Sequence, residues 1–261
     1  MRLDINKNRT LSRPNAIEYM ELIFEDFIEM AGDRLYGEDK SIVGGIARLG
    51  GKPVTVLAQV MGRNLDESER VRYSMVNPEG YRKSLRLVKQ AEKFGRPVIC
   101  LVDTVGAYPG ENAEKEGQAI AIANHIMELL SIRIPVFSVI IGCGGSGGAL
   151  ALCIANKIAM LENAYFGVIS PKGCANILWK DSKRSDEAST LLKMKASDLL
   201  ECHAIDEVIQ EVDMEITASN IKGFLIQQIG LFQKFTQEQL VDMRHQKFRQ
   251  FGKEYLYYFS Y

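Results

Sequence analysis

No charge of either sign is in excess: across 261 residues, 32 Lys and Arg face 33 Asp and Glu, a formal net charge of −1. Gross charge therefore gives no ground for a nucleic-acid or anionic-membrane surface. Long apolar runs are missing too, and none approaches the roughly 20 residues that a membrane helix needs. Zinc-ligand spacing is likewise absent. The five cysteines (Cys100, Cys143, Cys153, Cys174, Cys202) form no C-x-x-C pair, and His125, His203 and His245 are scattered. An odd number of thiols without a secretory signal predicts a cytoplasmic protein. No Pro/Gly/Ser linker, long repeat or low-complexity tract interrupts the chain, so residues 1–261 are expected to form a single domain.

What the sequence does hold is an alternation of helical and extended patterns. Ala16–Gly32 has apolar residues at helical spacing and predicts an N-terminal helical arm. Ser41–Gly62 predicts two strands around a Gly50-Gly51 hairpin turn. Pro78–Gly95 predicts a helix, with Pro in its first turn and Gly at its end. Pro97–Val102 and Pro135–Ile141 are buried-strand runs, and between them Asn112–Ile132 predicts one helix capped by Asn112. Two short strands follow in 157–170. Helical stretches then cover 186–204 and 214–235, before a helical, aromatic C-terminal tail. Such alternation predicts an α/β fold with a largely parallel, helix-covered sheet.

Two loops at predicted strand ends carry unusual residues: "DTVGAYPG" from Asp103 and "GCGGSGGA" from Gly142. Ligands bind at the carboxyl ends of parallel strands. Backbone-rich loops there can aim N–H groups, and a helix starting near Gly147 would add its own unpaired ones. That arrangement suits a transient oxyanion. The glycine stretch is not a Walker A loop, since no G-K-[ST] ends it. It does match G-x-G-x-x-G over Gly142–Gly147, with Glu162 twenty residues on, so a nicotinamide-dependent oxidoreductase is the rival reading. Its weakness is a helix expected only over about Gly147–Asn156. The plainest alternative is that small residues let a helix lie close on a strand.

Five segments in order, "EDKSIVGGIARLGGKPV", "PEGYRK", "DTVGAYPG", "GGSGGALAL" and "VISPKGCANILWK", resemble the carboxyltransferase alpha chains of acetyl-CoA carboxylase, from about Ile17 to the C-terminus. The resemblance implies a crotonase-like ββα superhelix. It implies transfer of a carboxyl group from carboxybiotin, borne on a biotin carboxyl carrier protein, to acetyl-CoA, giving malonyl-CoA for fatty acid synthesis. It further implies a zinc-bearing beta chain as partner, two of each chain, and no metal in this one. By resemblance, the backbone N–H groups of Gly147, Gly148 and Ala149 would serve as oxyanion donors. Gly106 and Ala107, with Gly144 and Gly145, would line the pocket. Arg82 and Lys83 form either a solvated basic face or a contact to CoA phosphates or the partner.

The sequence departs from the family pattern at several points. Cys143 stands for an acid, Val105 for a proline, Gln59-Val60-Met61 for a His-Gln-Lys run, Glu116 for an arginine and Lys172 for a glutamate. These departures motivate a further alternative, a paralogous subunit without catalysis. Cys143 has no histidine neighbour in sequence and is expected to be an inert thiol, while Cys153 and Cys174 read as small core residues. Ser170-Pro171 reads as a helix cap with a first-turn proline. Trp179 and Tyr255–Tyr261 read as packing or subunit contact.

Overall fold

The computed structural model describes residues 13–253. One eight-stranded mixed sheet runs β1-β2-β3-β4-β5-β6-β8, with β7 set against the end of β5. The strands are β1 (Glu25–Glu29), β2 (Ile42–Leu49), β3 (Lys52–Gln59), β4 (Val98–Thr104), β5 (Val136–Gly145), β6 (Lys157–Leu161), β7 (Tyr165–Gly167) and β8 (Glu207–Ile209). The first three are antiparallel neighbours, and from β3 onward every pair is parallel. The hairpin is as expected: Leu49 pairs with Lys52, and Gly50 and Gly51 turn with φ of 55° and 77°. Positive φ at both turn residues matches the right-handed twist of the flanking strands.

Every residue of β4 is buried, and so is β5 up to Gly144. Such strands need helices over both faces. Helix α3 (Pro78–Lys93) lies against β2 and β3 and packs on α5 (Gln118–Ser131), and α1 (Ala16–Ile23) packs with α10 (Met214–Phe232). Pro sits in the first turn of α3, and Gly95 follows its end with φ of 65°. Among the described residues, no helix is long and apolar enough to cross a membrane.

Four expectations change. The Ala16–Gly32 helix stops at Ile23, and Glu25–Glu29 becomes edge strand β1, pairing Ile28 with Ile46 and Glu29 with Gly45. The open edge of β2 supplies ladder partners that a local periodicity cannot foresee. Helix α1 is therefore no free arm, since Ala16, Tyr19, Met20 and Ile23 are all buried in the core. The Asn112–Ile132 helix breaks into α4 (Glu111–Lys115) and α5, because Gly117 adopts φ of 86°; Gly110, not Asn112, holds the cap position of α4. The helix after the glycines is shorter than expected, α6 (Ser146–Leu150). The 186–204 stretch divides into α8 (Ser185–Leu192) and α9 (Ala196–Glu201) around Lys193, whose φ is 47°.

Helix α7 (Pro171–Trp179) is capped by Ser170, whose hydroxyl accepts from Gly173 N, as expected. Arg184 stacks over the Trp179 ring at 4.0 Å, so this aromatic packs within the chain. The tail forms α11 (Gln237–Gln250). It docks through fully buried Arg244, which donates to Ile134 O at 3.0 Å and Asn156 Oδ1 at 2.6 Å. Tyr255–Tyr261 lie outside the described residues. Cys153 is a core residue, whereas Cys174 is half-buried.

Candidate active site

Strands β4 and β5 run side by side from Val98↔Val136 to Val102↔Ile140, and the register then jumps to Thr104↔Gly144. Ile141, Gly142 and Cys143 thus oppose Asp103 alone, a bulge that redirects the end of β5. Two charged side chains satisfy the backbone that the bulge frees. Asp103 Oδ1 accepts from Cys143 N at 2.8 Å, and Arg13 donates to Ile141 O through Nε at 3.0 Å and Nη2 at 2.7 Å. Arg13 is itself paired with Glu211 at 2.7 Å. Asp103 is buried, and desolvation pushes its carboxyl up to about 6 against the opposing pull of the Cys143 amide and Arg13.

The β4 loop is pinned from below. Ser74 Oγ donates to Asp103 O, Thr104 Oγ1 contacts Ser74 O, and Gly106 N donates to Thr104 Oγ1 at 3.0 Å. Ala107 bridges to Val76, and Tyr108 N donates to Val76 O at 3.0 Å. The segment supplying Ser74 is strained: Arg72, Tyr73 and Ser74 all have positive φ, at 48°, 54° and 63°. Such conformations cost roughly 1–3 kcal/mol each and persist where the surroundings enforce them. Ser146, within the glycine turn, is another, at 53°.

The glycines divide into two kinds. A Cβ on Gly148 would lie 2.5 Å from Ala107 N, 2.7 Å from Gly106 C and 2.9 Å from the Tyr81 hydroxyl. On Gly145 it would strike the Val105 carbonyl and come 2.8 Å from Gly106 N. These two lack side chains because the loops touch backbone to backbone. Gly144 is buried in β5, paired with Phe166 of β7. Gly147 is different: a Cβ there would find only Ile122 Cγ2, at 3.9 Å, and the residue is partly exposed. Close packing thus accounts for the missing side chains of Gly145 and Gly148, and Gly147 keeps the more open Cβ side.

Gly147 and Gly148 lie in the first turn of α6, where N–H groups lack intrahelical partners. Ala149 is the first residue with the Gly145 carbonyl in helical register, which leaves it the least available of the three expected donors. Gln59 Nε2 donates to Gly148 O at 3.0 Å. By peptide planarity, the Ala149 N–H therefore points away from Gln59. Gly106 uses its N–H on Thr104, and its φ of 144° suits glycine. Lys83 leaves the candidate site. It is 1% exposed, and Nζ bonds Glu38, Asp39 O at 2.8 Å and Ile42 O at 2.6 Å, so its three protons are used inside the fold. Arg82 is tied to Asp33 at 2.8 Å and Glu116 O at 3.0 Å, and stacks on Tyr36. Cys143 is fully buried, as an inert thiol should be.

Sequence reasoning marked Asp103 only as the start of a strand-end loop and passed over Arg13 and Tyr81. The signal for Asp103 was present: an acid directly after an all-apolar strand. Tyr81 carried none. Its hydroxyl is buried without a partner among the described residues, and burial pushes the phenol well above its usual range. The dinucleotide reading fails on geometry, because Gly142–Gly145 continue β5 and the helix that follows has five residues. A fingerprint turn opens a long crossover helix instead.

Residues 4–252 match the family described as "Acetyl co-enzyme A carboxylase carboxyltransferase-like". The chain belongs to this family. It is 48% identical over 251 residues to the acetyl-coenzyme A carboxylase carboxyl transferase subunit alpha of Clostridium acetobutylicum, covering 94% of this chain and 92% of that one. Identity to the Listeria monocytogenes subunit alpha is 46%, covering 92% of this chain and 77% of the relative. The Clostridium tetani "subunits beta/alpha" protein is 45% identical, covering 94% of this chain and 44% of its own length. Among solved structures, transcarboxylase 12S superimposes with a TM-score of 0.68 at 18% identity, over 87% of this chain and 43% of that one. A Pseudomonas malonate decarboxylase hetero-tetramer with coenzyme A reaches 0.68 at 17%, over 80% and 86%. The fold is thus the crotonase-like carboxyltransferase fold, and the family's reaction is carboxyl transfer to acetyl-CoA.

Proposed function

We propose that this chain, as a single carboxyltransferase domain, supplies one wall of a site where a carboxyl group passes from carboxybiotin on a carrier protein to acetyl-CoA, forming malonyl-CoA. The observation that carries the reading is the meeting of the β4 and β5 loops around Gly147, the glycine of the turn that stays open on its Cβ side. Carboxybiotin would supply the activated carboxyl group. The chain's part is to offer the Gly147 and Gly148 N–H groups to the negative charge left on the ureido or thioester oxygen, with Gly106 and Ala107 on the facing loop. Prearranged donors of this kind are worth about 10²–10³ in turnover apiece.

A beta chain completes the site in this reading, with two copies of each. Support comes from the Clostridium tetani relative, whose name joins beta and alpha subunits in one protein, and from the hetero-tetrameric malonate decarboxylase of like fold. The zinc is assigned to the beta chain. All five cysteines are free thiols, in keeping with a reducing, cytoplasmic setting. Reconstitution tests the proposal: the complex should carboxylate acetyl-CoA from carboxybiotin, and the chain alone should not. An assembled complex without turnover would favour the non-catalytic paralogue, and full turnover by the chain alone would remove the beta chain from the site.

A further inference from the structure

We propose that Asp103 is a positioning residue for carboxyl transfer, its carboxylate holding the β5 glycine turn in register with the β4 loop. The inference rests on the functional reading above but draws on separate observations. The bulge takes Ile141–Cys143 out of the β4 ladder, and the bond from Cys143 N to Asp103 Oδ1 at 2.8 Å replaces the missing rung. Gly142 makes room for that carboxylate, since a Cβ there would lie 2.8 Å from Asp103 Cγ. Arg13 fixes the other side of Gly142 through the Ile141 carbonyl. The backbone of Asp103 is anchored in turn by Ser74, on the strained segment. One residue thus joins β4, β5 and the Arg72–Ser74 turn, and its partner Cys143 lies four residues before Gly147.

The groups facing the carboxylate are Arg13 and, on α1, Tyr19, with the Cys143 amide from β5. Burial pushes the Tyr19 phenol up to about 12, so it does not titrate near neutrality. Asp103 does, close to 6. Above that pH the anion is a strong acceptor for Cys143 N–H. Below it the neutral acid is a weaker one, and the turn loosens. Turnover should therefore fall on the acid side with an apparent pKa near 6.

The test compares Asp103→Ala and Asp103→Asn in the full chain assembled with a beta subunit. Asparagine keeps a neutral oxygen for Cys143 N–H, and alanine keeps none. Asp103→Ala should lower kcat by about 10²-fold, with KM for acetyl-CoA nearly unchanged, as expected for misplaced rather than missing groups. Asp103→Asn, which offers a neutral acceptor at every pH, should hold kcat between those of Asp103→Ala and the wild-type plateau and abolish the acid limb near 6. Hydrogen exchange at the Cys143 amide supplies a readout independent of activity, fastest in Asp103→Ala and intermediate in Asp103→Asn. Should Asp103→Ala fail to fold, the pH profile and exchange of Asp103→Asn decide. A wild-type kcat in Asp103→Ala, an unshifted acid limb in Asp103→Asn, or unaltered exchange in Asp103→Ala would overturn the proposal. A wild-type complex without carboxyl transfer would instead sink the functional reading, leaving exchange to judge the clamp alone.

Discussion

Asp33 and Asp103 are both buried carboxylates that hold a loop, yet they sit on opposite sides of the ordinary carboxylate range. Asp33 accepts from Leu35, Tyr36 and Gly37 N–H, at 2.8 to 2.9 Å, and from Arg82 at 2.8 Å. Those donors outweigh burial and hold its carboxyl down to about 2. Asp103 has the Cys143 amide in hand and only the field of Arg13 besides, so burial wins and raises it to about 6. The same side chain is a stabilising anchor where donors surround it and a group that holds a proton more tightly where they do not. The first arrangement lies under α3 and the second at the proposed reaction site.

Breaking the better-satisfied acid should have the largest effect. Asp33→Ala leaves Arg82 without its carboxylate and three N–H groups without an acceptor, at a cost of about 3–5 kcal/mol. Denaturant titration of the folded chain would measure it, and a loss below about 1 kcal/mol would contradict the pairing.

Next comes the turn that Asp103 serves. Gly147→Val should leave the melting temperature nearly unchanged, since its Cβ meets only Ile122 Cγ2 at an ordinary contact distance, while turnover in the complex falls about 10²–10³-fold. Gly148→Ala should do the reverse first, destabilising by about 1–3 kcal/mol as it pushes on the Ala107 and Gly106 backbone. Equal stability losses in the two variants would erase the distinction between the open and the packed glycine.

The pH dependence of stability sharpens the comparison further. Asp33 has a lowered folded value, so its contribution of about 2 kcal/mol is present above about 4 and lost as pH falls toward 2. Asp103 has a raised one, so its ionisation costs the fold about 3 kcal/mol at neutral pH, and stability is regained as pH falls from above 6 toward 4. Asp103→Asn should therefore stabilise the chain at pH 7.5 and flatten the pH 4–6 region, seen as denaturation midpoints across that range. A destabilised Asp103→Asn would contradict this sign.

The smallest effect belongs to Cys143→Ser. Its backbone amide, not its sulfur, enters the clamp, so most turnover should survive, with about 1–2 kcal/mol lost from burying a hydroxyl. Abolished turnover together with a covalent adduct on wild-type Cys143, detected by mass spectrometry, would replace the backbone-donor mechanism with a thiol one.

Elements with their own local punctuation could be read directly. The Gly50-Gly51 turn, the proline-started α3 and the all-apolar β4 and β5 carry the physics that forms them within a few residues. The strand-end loops were legible for the same reason, since glycines and an acid directly after an apolar run are costly without a use. Edge strand β1 was not, because its residues read as helix until the open edge of β2 offers hydrogen bonds. Nor was the fate of Lys83: a Lys in the first turns of a helix looks solvated until a hairpin 41 residues upstream folds over it with the Ile42 carbonyl. The sequence by itself therefore determined the family, the α/β alternation and the position of the two loops, all of which depend on local pattern and motif order. Only the tertiary structure decided which glycine stays open, which acid titrates above the ordinary carboxylate range and which basic residues are sealed away. Those properties are set by what the rest of the chain brings within a few ångströms, and sequence spacing does not encode that distance.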